Sequence, residues 1–199
     1  AIPADTPGVT IEPVPDPLGC RAAGHSHIRL EEVRVPARRL LDGAGMPLPL
    51  LITLVLAYGR MSVGWGCVGI LRGCLAAAGA HARSRRQFGK PLGEHQLVGR
   101  HLAGLLVSEQ IATRACEHAS ALWDANAPDA VTATVLAKHV GATQAAQGAA
   151  AAVQILGSAG ADNSSLVARA YRDAKLMEII EGSNELCQVM LAEHVLSRS

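Results

Sequence analysis

The chain has almost no net charge to offer a polyanion. Eighteen Lys and Arg face seventeen Asp and Glu over 199 residues, a formal charge of +1, which argues against a nucleic-acid partner. It also lacks any C-x-x-C pair: Cys20, Cys67, Cys74, Cys116 and Cys187 stand singly. An odd, scattered set of this kind fits reduced core thiols in a cytoplasmic protein and offers no metal template, so no metal ligand is assigned. The opening Ala1-Ile2-Pro3-Ala4-Asp5 has neither an initiator Met nor the basic start of a signal peptide. So abrupt a start leads to the expectation of a piece of a longer chain. The most apolar run, Leu48 to Gly59, is too short to cross a bilayer before Arg60 interrupts it, and it reads as a buried helix with no membrane partner. Phenylalanine occurs once, as Phe88.

What is present divides at about residue 42. In residues 1–42, Pro3, Pro7, Pro13, Pro15 and Pro17 forbid a long helix, and Val9–Ile11 and His27–Leu30 have strand character. Two or three strands cannot bury a face alone, so this segment reads as the tail of a sheet domain. Residues 43–199 read as an up-and-down four-helix bundle, making the chain mainly α. Its first helix, Leu48–Arg83, is apolar nearly all round and is expected to be central. Gly64, Gly66, Gly69 and Gly73 there suggest close helix approach. Glu94–Asp124 follows, with Leu102, Leu105, Ala112, Cys116, Ala119 and Trp123 on one stripe, and then an alanine-rich helix over Asp129–Leu156.

Two places look chemical. Between the first two helices, Ser84-Arg85-Arg86-Gln87-Phe88-Gly89-Lys90-Pro91 puts the lone Phe among cations, a pattern for a flat, phosphate-bearing ligand or for a basic loop with one anchoring ring. Near the C-terminus, Leu176, Met177, Ile179 and Ile180 deliver Glu181 to a Gly182-Ser183 break. Gly182 is expected to end one helix and Ser183 to cap the next, from about Asn184 to Leu196. Desolvation at such a junction would raise the carboxyl pKa and make a usable base. Spacing alone favours a plainer reading, a helix-end glutamate near a backbone donor.

The run RDAKLMEIIEGSNEL resembles the C-terminal signature of acyl-CoA dehydrogenases. Three further stretches resemble that family in the same order: PLGCRAAGHSHIRLEEVRVPARRLL at 17–41, RSRRQFGKPLGEHQ at 83–96 and VQILGSAGA at 153–161. The resemblance implies FAD lying between a middle sheet domain and this bundle, with its far end held by a second subunit of a homodimer or homotetramer. It implies that an N-terminal helical domain is absent from this stretch, and that these residues alone show no turnover. It gives Glu181 the role of base, removing the proton alpha to a thioester carbonyl while the beta hydrogen leaves as hydride to the flavin. It places Arg85, Phe88 and Gln96 at a neighbouring subunit's flavin, Gln154 and Gly157 on the dinucleotide, Ser183 and Glu185 by its adenine end, and Arg60 by the substrate channel. Ser158 stands where the family usually has a second glycine.

A subset of the family carries its base at the position of Gly59, which glycine cannot fill. Ile180 replaces a common tyrosine. The details GCRAAGHSHIRL, LAYGRMSVGWGCVGILRGC and LMEIIEGSNE look most like dehydrogenases acting on a three-carbon unit held by an acyl carrier protein. Those enzymes serve the biosynthesis of hydroxymalonyl and methoxymalonyl extender units in polyketide pathways, and an electron acceptor must reoxidise the flavin. Two alternatives remain at this level: a short-chain acyl-CoA dehydrogenase, and a non-catalytic bundle for dimerisation or carrier docking.

Overall fold

The structure, a computed structural model, describes residues 1–40, 45 and 47–197. The expected boundary between 42 and 43 lies outside the described residues. Two strands, β1 (Val9–Pro13) and β2 (Ser26–Leu30), pair antiparallel with Ile11 opposite Ile28. They are followed by α1 (Leu48–Ser84), a short hairpin of β3 (Arg86–Gln87) and β4 (Lys90–Pro91), α2 (Gln96–Asp124), α3 (Ala130–Leu156), α4 (Ser158–Ala161), α5 (Leu166–Met177) and α6 (Asn184–Ser197). The expected bounds of the three long helices and of α6 fall within two residues of those observed.

The bundle closes on α3, not on α1. α3 packs against α1, α2, α4, α5 and α6, whereas among the numbered helices α1 meets α2, α3 and α5, and it also touches β4 and the turn at Leu92–Glu94. The reason is side-chain size: Ala137, Ala142, Ala145, Ala149 and Ala152 are all fully buried, and short side chains let neighbours approach from several directions. At the tightest points even a methyl group is too much. A Cβ added at Gly64 would stand 3.1 Å from Cys116 Sγ, one at Gly141 3.3 Å from Cys67 Cβ, and one at Gly148 2.8 Å from Leu105 Cδ1. Interiors packed this closely gain their cohesion from many short dispersion contacts. Gly66 and Gly69 do not join this seam; both face open space.

Into the seam α1 inserts Cys67, Leu71, Cys74 and Ala78, and α2 inserts Leu105, Ala112, Cys116 and Ala119, all essentially inaccessible. Each leucine so buried contributes about 1.5–3 kcal/mol. By length and composition α1 is apolar enough to cross a membrane, but the face just named is occupied by the bundle. Burial pushes the Cys67 thiol up to about 12 and those of Cys74 and Cys116 up to about 11. One polar cluster crosses from α1 to α2: Arg72 Nε donates to Glu109 Oε1 at 2.8 Å, and Thr113 Oγ1 donates to the same oxygen at 3.0 Å. The arginine bond, more than the hydroxyl, holds the Glu109 carboxyl below its ordinary value against the opposing effect of burial.

The two-stranded ribbon is exposed on both faces, with Ile28 and Leu30 more than half accessible. Its link to the bundle is made further along. Cys20 N donates to Asp173 Oδ1 at 2.7 Å, and Gly19 lies so close to α5 that a Cβ would stand 2.7 Å from Arg172 O.

Candidate active site

The turn between α5 and α6 is where the chain does something costly. α5 starts on a Ser165 cap, whose Oγ accepts from Ala168 N at 3.1 Å, and buries Val167, Ala170 and Ala174 along one stripe. It ends at Met177, five residues before the glycine expected to end it. The cause is local: the N–H groups of Ile179 and Ile180 both donate to Leu176 O, each at 2.9 Å, which closes the helix early. Glu181 then takes φ +56° and Gly182 φ +89°. A non-glycine residue in the left-handed region costs on the order of 1 kcal/mol and persists only where its surroundings demand it. Asn184 N returns to Glu178 O at 2.9 Å, and Ser183 Oγ accepts from Leu186 N at 3.3 Å, the expected cap of α6.

What demands the conformation is a pair of buried cations. Arg60, 2% exposed, donates from Nε to the Glu181 carbonyl at 3.0 Å. Lys138, fully buried, donates from Nζ to the Gly182 carbonyl at 2.7 Å, with Asn184 Oδ1 at 3.4 Å and Glu178 O at 3.5 Å. Neither cation forms an ion pair among the described residues. Burial lowers the Lys138 ammonium from its ordinary value, and Arg60 Nη1 is buried with no partner. Sequence reasoning missed Lys138. The available signal was one charged residue inside Thr132–Ala142, a stretch otherwise of small and apolar residues and one His.

The grip on the backbone aims the side chain. The Glu181 carboxylate lies directly over Gly59 of α1: a Cβ built there would collide with it, with Oε1 at 2.8 Å. The two chain positions that the family resemblance offered for a base thus converge on one point in space. Glu181 is half-buried and Ile179 is 58% exposed, so the junction is wetter than the apolar run predicted. Glu178, the other carboxylate of the stretch, is bound to Lys175 Nζ at 2.9 Å. Glu185 is exposed in the first turn of α6, its carboxyl held below its ordinary value by its own backbone N–H and by Ser183.

The remaining expected site residues gather elsewhere. Phe88 and Gly89, at φ +51° and +81°, form the two-residue turn of the β3–β4 hairpin, with Gln87 paired to Lys90. Phe88 is 92% exposed and meets His95 edge-on at 6.1 Å. Arg85 and Gly157 line one hollow of about 370 Å³, with His81, Gln87 and Ser158. Gln154 and Gln96 are exposed and do not line it. Arg60 and Arg85 are both reached from α1, about 37 Å apart at the rise of an α-helix. The structure therefore brings Arg60, Glu181, Ser183 and Glu185 to one region, and Arg85, Phe88 and Gly157 to another.

Comparison with known proteins bears on both regions. Residues 49–196 match the C-terminal domain of acyl-CoA dehydrogenases. A solved structure described as FkbI, for biosynthesis of the methoxymalonyl extender unit of the Fk520 polyketide immunosuppressant, is 61% identical with a TM-score of 0.91, covering 100% of this chain and 54% of that one. A probable acyl-CoA dehydrogenase, YngJ of Bacillus subtilis strain 168, is 35% identical over 98% of this chain and 51% of its own length. The short-chain specific mitochondrial acyl-CoA dehydrogenase of Rattus norvegicus is 31% identical over 98% of this chain and 47% of its own. The chain spans about half the length of these relatives. With the match running through the three long helices, the hairpin and the Glu181 turn alike, this chain belongs to the acyl-CoA dehydrogenase family.

Proposed function

We propose that the chain is the C-terminal half of an FAD-dependent acyl-thioester dehydrogenase, with residues 1–42 the end of its sheet domain. Its substrate in this reading is a three-carbon acyl unit on an acyl carrier protein, destined for a polyketide extender. The observation that carries the reading is the Glu181 carboxylate, held over Gly59 by a left-handed turn whose carbonyls are gripped by Arg60 and Lys138. The 61% identity to FkbI favours the carrier-bound substrate over a fatty acyl-CoA.

The residues present fit a bound flavin dinucleotide. Arg85 brings a fixed cationic fork to the hollow it shares with Gly157, suited to an anionic phosphate. Two stations about 37 Å apart on one chain are reconciled when the hairpin end of one copy serves the flavin of its neighbour. FAD, when bound, supplies the acceptor for the hydride. The rest belongs to this chain. Glu181 takes the proton from the carbon alpha to the thioester, or from an oxygen-bearing carbon's hydroxyl if the substrate is a glyceryl unit. The Glu181 backbone N–H, which has no hydrogen-bond partner among the described residues, is free to donate to the thioester carbonyl oxygen and so acidify that proton. Arg60 donates to the carbonyl of the same residue, fixing the residue that must do both jobs.

The test is Glu181→Gln in the flavin-loaded protein. It should retain flavin but lose bleaching by a three-carbon acyl thioester by at least about a hundredfold, the usual range for a general base. Bleaching at the wild-type rate would remove Glu181 from the mechanism and turn attention to Glu178. Comparing the carrier-bound with the CoA-bound thioester in the same assay decides the substrate class.

A further inference from the structure

We propose that Lys138 is a positioning residue: it anchors both ends of the Glu178–Asn184 turn and thereby sets where the Glu181 carboxylate rests. The proposal builds on the reading of Glu181 as base.

An ammonium has three protons to donate and accepts nothing. Lys138 has three acceptors around it, and they are not scattered: Glu178 O opens the turn, Gly182 O closes it, and Asn184 Oδ1 begins α6. Asn184 in turn donates from Nδ2 to Thr143 Oγ1 of α3 at 3.2 Å and lies 3.4 Å from Glu178 Oε1. One side chain on α3 therefore ties together two points that are adjacent in space only while Glu181 and Gly182 stay left-handed. Arg60 holds a single carbonyl between them.

Burying an unpaired ammonium is expensive, and an apolar residue of the same length would pack at less cost. The charged groups facing Lys138 do not neutralise it at hydrogen-bond range. Arg60 and Cys67 face it from α1, Cys187 and Glu185 from α6 and Glu178 from the turn, and only the carboxylates of Glu178 and Glu185 are ordinarily charged opposite to it. Glu178 is engaged by Lys175, and Glu185 is exposed at the start of α6. A buried cation kept without a counter-ion at hydrogen-bond range, and spent on two carbonyls of the turn that carries the base and on Asn184 beside it, is a device for position.

The experiment uses Lys138→Met, which keeps the apolar stem and removes every donor, and Lys138→Gln, which keeps a neutral donor should the first variant fold poorly. Amide hydrogen exchange, followed without substrate, should speed up about tenfold or more in the peptide spanning 178–186 while peptides in α1 and α2 keep their rates. In the flavin-loaded protein, kcat for thioester-driven bleaching should fall about tenfold to a hundredfold with KM within about twofold, as expected for misplacing a reacting group. Lys138→Gln should lie between wild type and Lys138→Met in both measurements. Unchanged exchange at 178–186, or a rise spread evenly over the bundle with kcat and KM intact, would overturn the proposal. If exchange rises at the turn but Glu181→Gln still bleaches normally, the anchor stands and the assignment of the base falls.

Discussion

Among the described residues the same pairing of positive φ angles occurs twice, in opposite surroundings. Phe88-Gly89 and Glu181-Gly182 each place a non-glycine residue left-handed immediately before a left-handed glycine. In the hairpin the conformation is imposed from within: two paired strand residues on each side and a two-residue loop call for positive φ at both central positions. Two side-chain bonds from nearby in the chain brace it: Arg86 Nη2 donates to Gly89 O at 3.0 Å, and His95 Nε2 lies 3.2 Å from Gln87 O. In the Glu181 turn no strands impose the shape, and it is imposed from outside by cations reaching in from α1 and α3. A shape fixed by its own backbone can be presented to solvent and lent to a partner. One fixed by its surroundings stays aimed at a point within the molecule.

Four substitutions would break or sharpen that contrast. The largest effect is expected from Gly59→Ala. The new methyl would occupy the place of the Glu181 carboxylate, so the base must move, and a displacement of this size should lower turnover about a hundredfold with little loss of melting temperature. Wild-type turnover in Gly59→Ala would mean that the carboxylate is not held where the turn aims it.

Next come the paired substitutions Gly182→Ala and Gly89→Ala. Both place a Cβ in the left-handed region, at about 1–2 kcal/mol each. At Gly89 the new carbon would meet nothing within 4 Å, whereas at Gly182 it would stand 3.2 Å from Leu186 Cδ2 and 3.4 Å from Arg60 Nη2. Gly182→Ala should therefore melt lower than Gly89→Ala, by about 2–4 °C for each additional kcal/mol in a chain of this size. Equal melting temperatures would show that the turn yields as easily as the hairpin. The smallest effect belongs to Phe88→Ala. A ring 92% exposed has little to lose on truncation, and thermal stability should stay within about 0.5 kcal/mol. Flavin retention in the assembled protein should nonetheless weaken, which is what separates a lent residue from a structural one.

The legible parts of the molecule were those written in local chemistry. Proline placement and alternation located the two strands, and breakers at Gly89, Pro91, Pro128 and Gly157 bounded the long helices. Arg60 and Glu181 could be put in one region only because a family pattern joined positions 121 residues apart, a separation that no periodicity spans. Lys138 escaped because its partners are backbone carbonyls 40 and 44 residues away, and a backbone carbonyl leaves no mark in a sequence. The centrality of α3 escaped for another reason: alanine gives a weak apolar stripe, so a helix buried on several sides looks unremarkable beside the leucine-rich start of α1. The early end of α5 depended on two amides sharing one carbonyl, a choice that Gly182 alone did not reveal.

The four thiols buried between the helices have a consequence for the protein's chemical durability. Cys67, Cys74, Cys116 and Cys187 are inaccessible, and burial pushes the first three up to about 11 or 12, which leaves at most about one part in ten thousand as thiolate at neutral pH. Peroxide, alkylating reagents and passing disulfides all require the thiolate and a path to it: the path is missing for all four, and for Cys67, Cys74 and Cys116 the thiolate is missing as well. Cys20, half-buried where the N-terminal segment meets α5, is the one thiol within reach of solvent. The folded protein should therefore age as though it carried a single cysteine rather than five.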